Sequence, residues 1–419
     1  MILLQLAYKS LKSRIVTTAL TVFSIALSVL LLVGVDRVRQ GTQAGFSGTL
    51  SQTDLVVGAR GGSLPLLLYA VFHIGTGTND ISYASYQHFR DHSAVQWTIP
   101  ISLGDSYHGF RVVATDDNFY EHYRFRRDHS IQFASGSRPE GIFDAALGNE
   151  VAASLGYKIG QKLVLSHGLE RVSLLNHADK PFTVVGILAR TSTPVDRSIY
   201  ITLYGEEAMH IDWKDGTPPA IGEETPAAKI TKENLHIDQI SAFLLRTKSR
   251  VSTLLLQREI NTYKGEPLTA IIPAYTLQDL WSVLGYADVA LSLVSTAVLV
   301  VGLVAMLIAL YTTLNERRRE IAVLRALGLH ARQIFTLFVL ESTLISAAGT
   351  MLGLAAIYGL LWLFHNPIEA RFGIPLAMVG ISKRVVLYGA GVIFAGALLG
   401  CIPAMRAYRR GLIDGLNAY

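Results

Sequence analysis

Ten of the twelve histidines of this chain fall between residues 37 and 285. His88 and His92 are four apart at the end of a stretch, Tyr83 to Phe89, that reads as a helix. A helix running through both would set the two imidazoles on one face. Two imidazoles so placed suit a transition metal, zinc above all, once a third or fourth ligand arrives from elsewhere. The same spacing also serves as an ordinary polar helix face. His73, His108, His122 and His129 are near this pair in sequence only.

Other chemistry is missing from the sequence. There is no G-x-x-x-x-G-K-[ST] to cradle nucleotide phosphates, and no G-x-S-x-G, H-E-x-x-H or C-x-x-C. The chain is therefore not expected to be an enzyme, and it carries no site of its own for ATP and Mg. The lone Cys401 permits no disulfide within the chain, so any exported domain must rely on its core. The net charge of +5 does not point to nucleic acid, because no basic patch is interleaved with aromatics.

The most distinctive charged stretch runs from Leu314 to Glu341. Arg317, Arg318, Arg319, Arg325 and Arg332 stand against Glu316 and Glu320, while Ile321, Leu324, Leu327 and Leu329 make an apolar stripe near helical spacing. One reading is a basic amphipathic helix at the cytoplasmic membrane surface that receives force from a partner. The other is a positively charged loop with no further role.

These residues need membrane elements to position them. A mean hydropathy of +0.36 is too high for one soluble domain. Four windows explain it: Val16 to Val35, Val289 to Leu314, Gln333 to Phe364 (where Glu341 is the ionisable residue) and Val385 to Met405. Each reaches the ~20 residues that cross a bilayer core as a helix. The first exceeds the apolar run of a cleaved leader and lacks a small-x-small site, so it reads as a signal anchor. Lys9, Lys12 and Arg14, the Arg-rich loop, and Arg406, Arg409 and Arg410 fall on one side if there are four spans. That side is cytoplasmic, and residues 37–285 and 366–383 face outward.

The spans carry two small-residue pairs, Gly349 with Gly353 and Gly396 with Gly400, which allow close helix approach. That approach could be within the chain or along a homodimer seam. Glu341, near the cytoplasmic boundary, could pair with an Arg, cap the coupling helix or snorkel.

The outward region reads as α+β. Strands are expected at Asp54 to Val57, Trp97 to Leu103, Gly109 to Ala114, Gln239 to Arg246 and Leu268 to Ile272, with helices at Tyr83 to Phe89 and Val251 to Tyr263. Gly104 and Asp105 read as a turn. The two ends, 37–115 and 236–275, are expected to pack as one unit. An insert at 116–235, with apolar runs at Lys162 to Leu165, Phe182 to Leu188 and Ile199 to Leu203, suggests a smaller β-rich subdomain. Gly62 to Phe72 is either a core helix or an exposed apolar patch.

ERRREIAVLRALG from Glu316 to Gly328, the following Arg332-Gln333-Ile334 and Glu341 resemble the hallmark of the MacB/FtsX/LolC family of ABC transporter permeases. Leu6 to Ser28 and Pro403 to Leu416 resemble that family's two ends. The resemblance implies a fold of four transmembrane helices (15–36, 289–314, 333–364 and 385–405), with a large extracytoplasmic domain between the first and second. It implies an amphipathic N-terminal helix at 1–14, a porter-like subdomain interrupted by the β-rich insert, a stalk at 276–288 and a cytoplasmic tail at 406–419. By the same resemblance, 315–332 is the coupling helix for a separate ABC ATPase subunit, with Glu316, Arg317, Arg318, Glu320, Leu324, Arg325, Leu327 and Gly328 at the contact. The partners implied are that ATPase, a second copy of the chain, membrane lipid, and a periplasmic adaptor, lipoprotein or other cargo. The mechanism implied is motion of the outer domain rather than passage through the spans. Two alternatives remain open: regulation of a periplasmic partner, and zinc handling through the His-rich domain.

Overall fold

The computed structural model describes all residues except 1, 78, 168–176, 178, 214–224, 317–322, 324, 327, 373–381 and 417–419. The chain divides into two compact units. One comprises Met1–Gly41, Leu284–Ile368 and Leu376–Tyr419; the other comprises Thr42–Val283 and Glu369–Pro375.

In the first unit, α1 (Ile2–Ser13) is followed at once by α2 (Ile15–Thr49). The first long helix thus runs past the expected end of a span at residue 36. Nothing in the sequence stops it there, since Asp36 and Arg37 are compatible with a helix and no Pro intervenes. The other long helices of this unit are Pro273–Glu316, Ala331–Phe372 and Lys383–Leu416. Among the described residues, four helices are long and apolar enough to cross a membrane. They share one apolar cluster, with Ile25, Val29 and Val33 against Leu303, Met306, Ile345, Ile357, Val385 and Val392.

The second unit is built on a twelve-stranded mixed sheet. Across it run β10 (Lys162–Leu163), β12 (Phe182–Leu188), β9 (Asp144–Leu147), β13 (Ser198–Thr202), β5 (Phe110–Thr115), β3 (Val95–Ser102), β15 (Ala242–Thr247), β1 (Leu55–Ala59) and β16 (Leu268–Ile271). β4 (Asp105–Tyr107) pairs with β5 and with β11 (Ser166–His167), and β8 (Phe133–Gly136) pairs with β12. Two small ribbons complete it: β2 (Ile81–Ser82) with β14 (Gln239–Ile240), and β6 (Arg124–Phe125) with β7 (His129–Ser130).

The strands are apolar on both faces, as a sheet covered on both sides requires. Leu55 and Val57 enter one core and Val56 the other; Phe243 and Leu245 join the first, Ala242 and Leu244 the second. α4 (Tyr83–Arg90) and α8 (Arg250–Asn261) supply Tyr86, Phe89, Leu256 and Ile260 to the first core. α3 (Ser63–Ala70) and α5 (Asp117–His122) supply Leu66, Leu67 and Phe119 to the second. The apolar run at 62–72 is therefore largely a core helix. The insert adds α6 (Asn149–Leu155) and α7 (Leu203–His210). Apart from the β6–β7 ribbon, its strands join the main sheet. β13 lies parallel to β5 with Ile199 opposite Val112, so the insert continues the same sheet. The remaining long helices are α9 (Pro273–Glu316), α10 (Ala331–Phe372) and α11 (Lys383–Leu416).

Candidate functional site

Of the residues assigned to the coupling segment, Arg317, Arg318, Glu320, Leu324 and Leu327 lie outside the described residues. Glu316 ends α9. Gly328 has φ +97, where a side chain would strain the backbone, and its N–H donates to the Arg325 carbonyl at 2.9 Å. α10 restarts behind His330, whose N–H donates to Gln333 Oε1 at 2.8 Å. That contact is the reciprocal half of a capping box and fixes where the helix begins. Both flanks of the segment are held to α11. Ile334 and Phe338 pack on Ala404 and Ala407, and the Arg406 guanidinium lies 4.7 Å from the Tyr311 ring centre.

The small-residue pairs are used inside the chain. A Cβ on Gly349 would meet the Ile25 side chain at 2.7 Å, and one on Gly353 would meet the Ala26 carbonyl oxygen at 2.5 Å. Gly396 and Gly400 lie against the hydroxyls of Ser346 and Ser342. α2, α10 and α11 thus approach closely, and these four glycines serve packing within one protomer. Glu341 is buried and lines a small cavity of about 30 Å³ with Arg14, Thr17, Thr18 and Thr21. At the opposite end of the spans, Arg37 is buried and donates to the Tyr358 hydroxyl at 2.7 Å. Asp36 accepts from Gln40 Nε2 at 2.7 Å, and Arg39 pairs with Asp288 at 2.8 Å. These contacts tie α2 to α10 and α9.

The second unit holds a cavity of about 340 Å³. Phe46, Phe72 and Ile74 form an apolar wall; Arg111, Arg197 and the hydroxyls of Thr193 and Ser198 form a polar one. Two lining residues, His73 (φ 56) and Ser192 (φ 54), sit in the left-handed region, which is costly for non-glycine residues and clusters at binding sites. The Ser192 turn is fixed by the buried Asp196 carboxylate, which accepts from the N–H groups of Thr191 and Ser192 at 2.8 and 2.7 Å. Burial, reinforced by the Arg111 charge, lowers His73 to about 4, so it stays neutral and is placed 2.8 Å from Ser198 Oγ. The cavity sets an aromatic wall beside two guanidinium groups, of which Arg197 pairs with Glu150 at 3.3 Å and Arg111 donates to the Gly75 carbonyl.

The histidines are dispersed more than their spacing suggests. α4 ends at Arg90, with Asp91 as its cap, so His92 lies past the end of the helix that carries His88. His88 stacks on Tyr263 with ring centres 5.2 Å apart. His92 Nδ1 accepts from the Ala94 N–H at 3.1 Å, and its Nε2 lies 3.6 Å from Glu259. His122 stacks on Trp97.

A different set converges. Asp105, His177 and His210 each place one ligand atom within 4.8 Å of the others. Asp105 opens β4 and is buried rather than exposed in a turn. Its Oδ1 lies 4.0 Å from His177 Nε2 and its Oδ2 3.7 Å from His210 Nε2. His210 closes α7, whose start is capped by Thr202 accepting from the Gly205 N–H. Its Nδ1 is 3.1 Å from the Glu206 carbonyl, which can only accept, so Nδ1 carries the proton and Nε2 is the nitrogen turned toward Asp105. Burial pushes the Glu206 carboxyl up to about 8; the hydrogen bond from Ser102 opposes this and the nearby Asp105 adds to it. Sequence spacing could not find this set, because its members come from β4, the segment before β12 and the end of α7.

Comparison with known proteins supplies the family. The model for the MacB-like periplasmic core domain matches residues 18–263, and that for the FtsX-like permease C-terminal region matches residues 292–412. An uncharacterized ABC transporter permease of Methanocaldococcus jannaschii is 25% identical over 266 residues, covering 63% of this chain and 60% of that protein. The macrolide export ATP-binding/permease protein MacB of Burkholderia lata is 30% identical over 126 residues, covering 30% of this chain and 18% of that protein. The matched stretches thus span less than two thirds of either relative. The crystal structure of the periplasmic region of MacB from Actinobacillus actinomycetemcomitans aligns with a TM-score of 0.34 at 10% identity, over 55% of this chain and 94% of that one. With one family model spanning more than half of the chain and the other its last three spans, the chain belongs to the MacB/FtsX-like ABC transporter permeases, as a multi-pass inner-membrane protein with a large periplasmic domain.

Proposed function

We propose that this chain is the permease subunit of an ABC transporter whose ATP is hydrolysed by a separate ATPase subunit, and that its work is done by movement of the periplasmic domain. The observation that carries this reading is the interior of the membrane unit. Its helices close on one another through an apolar cluster and glycine contacts, and the ionisable groups described there sit toward the ends rather than mid-span. Within one protomer this leaves cargo no polar route. ATP-driven closure of two ATPase subunits pushes on the 315–332 segment of each protomer of a homodimer. The anchoring of that segment's flanks on α11 passes the push to the bundle rather than to a free loop. The periplasmic domain then opens or closes on its cargo. The cavity between Phe46, Phe72, Arg111 and Arg197 favours an amphipathic anion, such as an acidic lipid that exchanges its head group for the present partners of the two arginines.

The test is co-purification of the full-length protein in detergent with its cognate ABC ATPase, together with ATP turnover. The chain alone should not hydrolyse ATP, and the pair should do so faster in lipid than the ATPase alone. Leu324→Asp combined with Leu327→Asp should abolish assembly, since each apolar side chain buried at a contact is worth about 1.5–3 kcal/mol. Unchanged assembly and turnover in that double variant would sink the coupling assignment.

A further inference from the structure

We infer that Asp105, His177 and His210 form a binding site for a divalent transition-metal ion of the zinc class in the periplasmic domain. Two imidazole nitrogens and one carboxylate oxygen are a common ligand set for zinc, with a fourth position left to water or to another ligand. Ligands bound tetrahedrally at ~2.0–2.1 Å from zinc lie roughly 3.4 Å from one another. The Asp105 carboxylate lies 3.7 Å from His210 through Oδ2 and 4.0 Å from His177 through Oδ1, and one ligand atom of each residue lies within 4.8 Å of the others, so side-chain rotations would close the set on an ion.

Three further features make this a built site rather than a chance meeting. The tautomer of His210 is set by the Glu206 carbonyl, so Nε2, 3.7 Å from Asp105 Oδ2, is the nitrogen turned toward the carboxylate. The two histidine-bearing segments are clamped together independently of any ion. Lys180, three residues after His177 and buried, pairs with Asp212, two residues after His210, at 2.8 Å. The Lys180 N–H also donates to the His177 carbonyl at 3.1 Å. Finally, Trp213 lies 5.2 Å from the His177 ring and 5.3 Å from the His210 ring, as an apolar wall that holds both imidazoles. Asp105 and His177 are buried while the His210 side chain is 27% exposed, so an ion can enter past His210. Once bound, it joins β4, the segment ahead of β12 and the end of α7, three pieces far apart in sequence.

The experiment uses the full-length protein in detergent, stripped with chelator and titrated with ZnCl2 by calorimetry and with CoCl2 by visible absorption. One zinc per chain at micromolar Kd or tighter is expected, with cobalt giving the intense visible bands of a four-coordinate site. His210→Ala should weaken zinc binding at least tenfold and remove those bands, and His177→Ala should do the same. His88→Ala with His92→Ala should leave both unchanged. Thermal unfolding of the metal-free variants guards against misfolding: His210 is at a partly exposed helix end, so its variant should melt with the metal-free wild type but lose the rise in Tm that zinc gives. No zinc binding, binding unaffected by His177→Ala and His210→Ala, or binding lost only in the His88/His92 variant would each overturn the assignment. A wild-type cobalt spectrum of purely six-coordinate character would do the same without relying on any variant.

Discussion

The membrane unit and the periplasmic domain solve the same problem, close packing, with opposite materials. In the membrane unit, side chains are removed to bring helices together. Gly349, Gly353, Gly396 and Gly400 each give up a Cβ to a neighbouring helix, and the charged residues Asp36, Arg37, Arg39, Asp288 and Glu341 lie toward the ends of the spans. In the periplasmic domain large side chains fill both faces of one sheet. Titratable groups sit half-buried among them, His73, Asp116 and Glu206, beside the buried Asp105. Water is plentiful around the second unit, so burying a carboxyl there costs free energy that packing must offset. Lipid offers no such reservoir, and a buried charge mid-span would have no compensation. The first unit therefore keeps charge out of the middle of its spans, while the second carries titratable groups among its core side chains.

The sharpest way to break this contrast is to remove bulk from the periplasmic core. Phe243 is fully buried and meets the Tyr86 ring edge-on at 5.3 Å. Phe243→Ala should cost about 3–5 kcal/mol, read as a lower unfolding midpoint for tryptophans of that domain. A drop below 1 kcal/mol would mean that its core is not close-packed. The membrane unit should fail in the opposite direction, by added bulk. Gly353→Val drives a side chain toward the Ala26 carbonyl, which is backbone and cannot rotate away. It should cost about 1–3 kcal/mol and lower the yield of monodisperse protein. Gly391→Val, where a Cβ meets open space, is the matched control and should be near neutral. Equal losses in both would show that the glycine contacts do not hold the helices.

A smaller effect is expected at the polar ends of the spans. Tyr358→Phe leaves the ring under the Arg37 guanidinium, 5.5 Å from its centre, but removes the acceptor of a 2.7 Å hydrogen bond. A hydrogen bond to a charged group is worth about 1.5–3 kcal/mol, and the ring contact that survives retains part of this. If the α2–α10 tie transmits ATPase motion, the variant should also lower cargo release per ATP without changing ATPase binding. Wild-type coupling in the variant would make the tie purely structural.

The two units were also unequally legible in sequence. Apolar windows and Arg-rich flanks located the four spans, because the bilayer imposes length and charge rules that local sequence must obey. The strand expected at Trp97 to Leu103 overlaps β3, while the one expected at Gln239 to Arg246 covers both β14 and β15, which belong to different sheets; short apolar runs report strands without reporting where one breaks. What sequence could not supply was register across the sheet. The join of β13 to β5 makes the insert continuous with the rest, and it depends on a long-range pairing of Ile199 with Val112. The same holds for the histidines. The i, i+4 pair His88 and His92 is visible in sequence yet separated by the end of α4, while His177 and His210 meet only because the chain folds over Asp105.

The finest distinction between the units is in pH. Asp116 caps α5 by accepting from the Asn118 N–H at 3.1 Å, and burial pushes its carboxyl from 3.8 up to about 7. Between these values the unfolded chain has released the proton while the folded domain still holds it. The folded state therefore binds more protons, and stability is lost as pH rises from about 4 through 7. Asp116→Asn fixes the neutral state while keeping one oxygen to cap the helix. The variant should match wild type near pH 4 and become progressively more stable above it. A pKa unit is worth about 1.4 kcal/mol, but Asn gives up one of the two acceptor oxygens, and Asn118 Nδ2 loses its 3.5 Å contact if that is the one removed. A gain of about 1–2 kcal/mol at pH 8 is then expected. Urea unfolding of the full-length protein at pH 5 and pH 8 measures it. A constant difference between variant and wild type at both values would mean that Asp116 titrates as an exposed carboxylate. The periplasmic domain would then hold one fewer buried responsive group, and the contrast with the membrane unit would rest on His73, Glu206 and the Asp105 set alone.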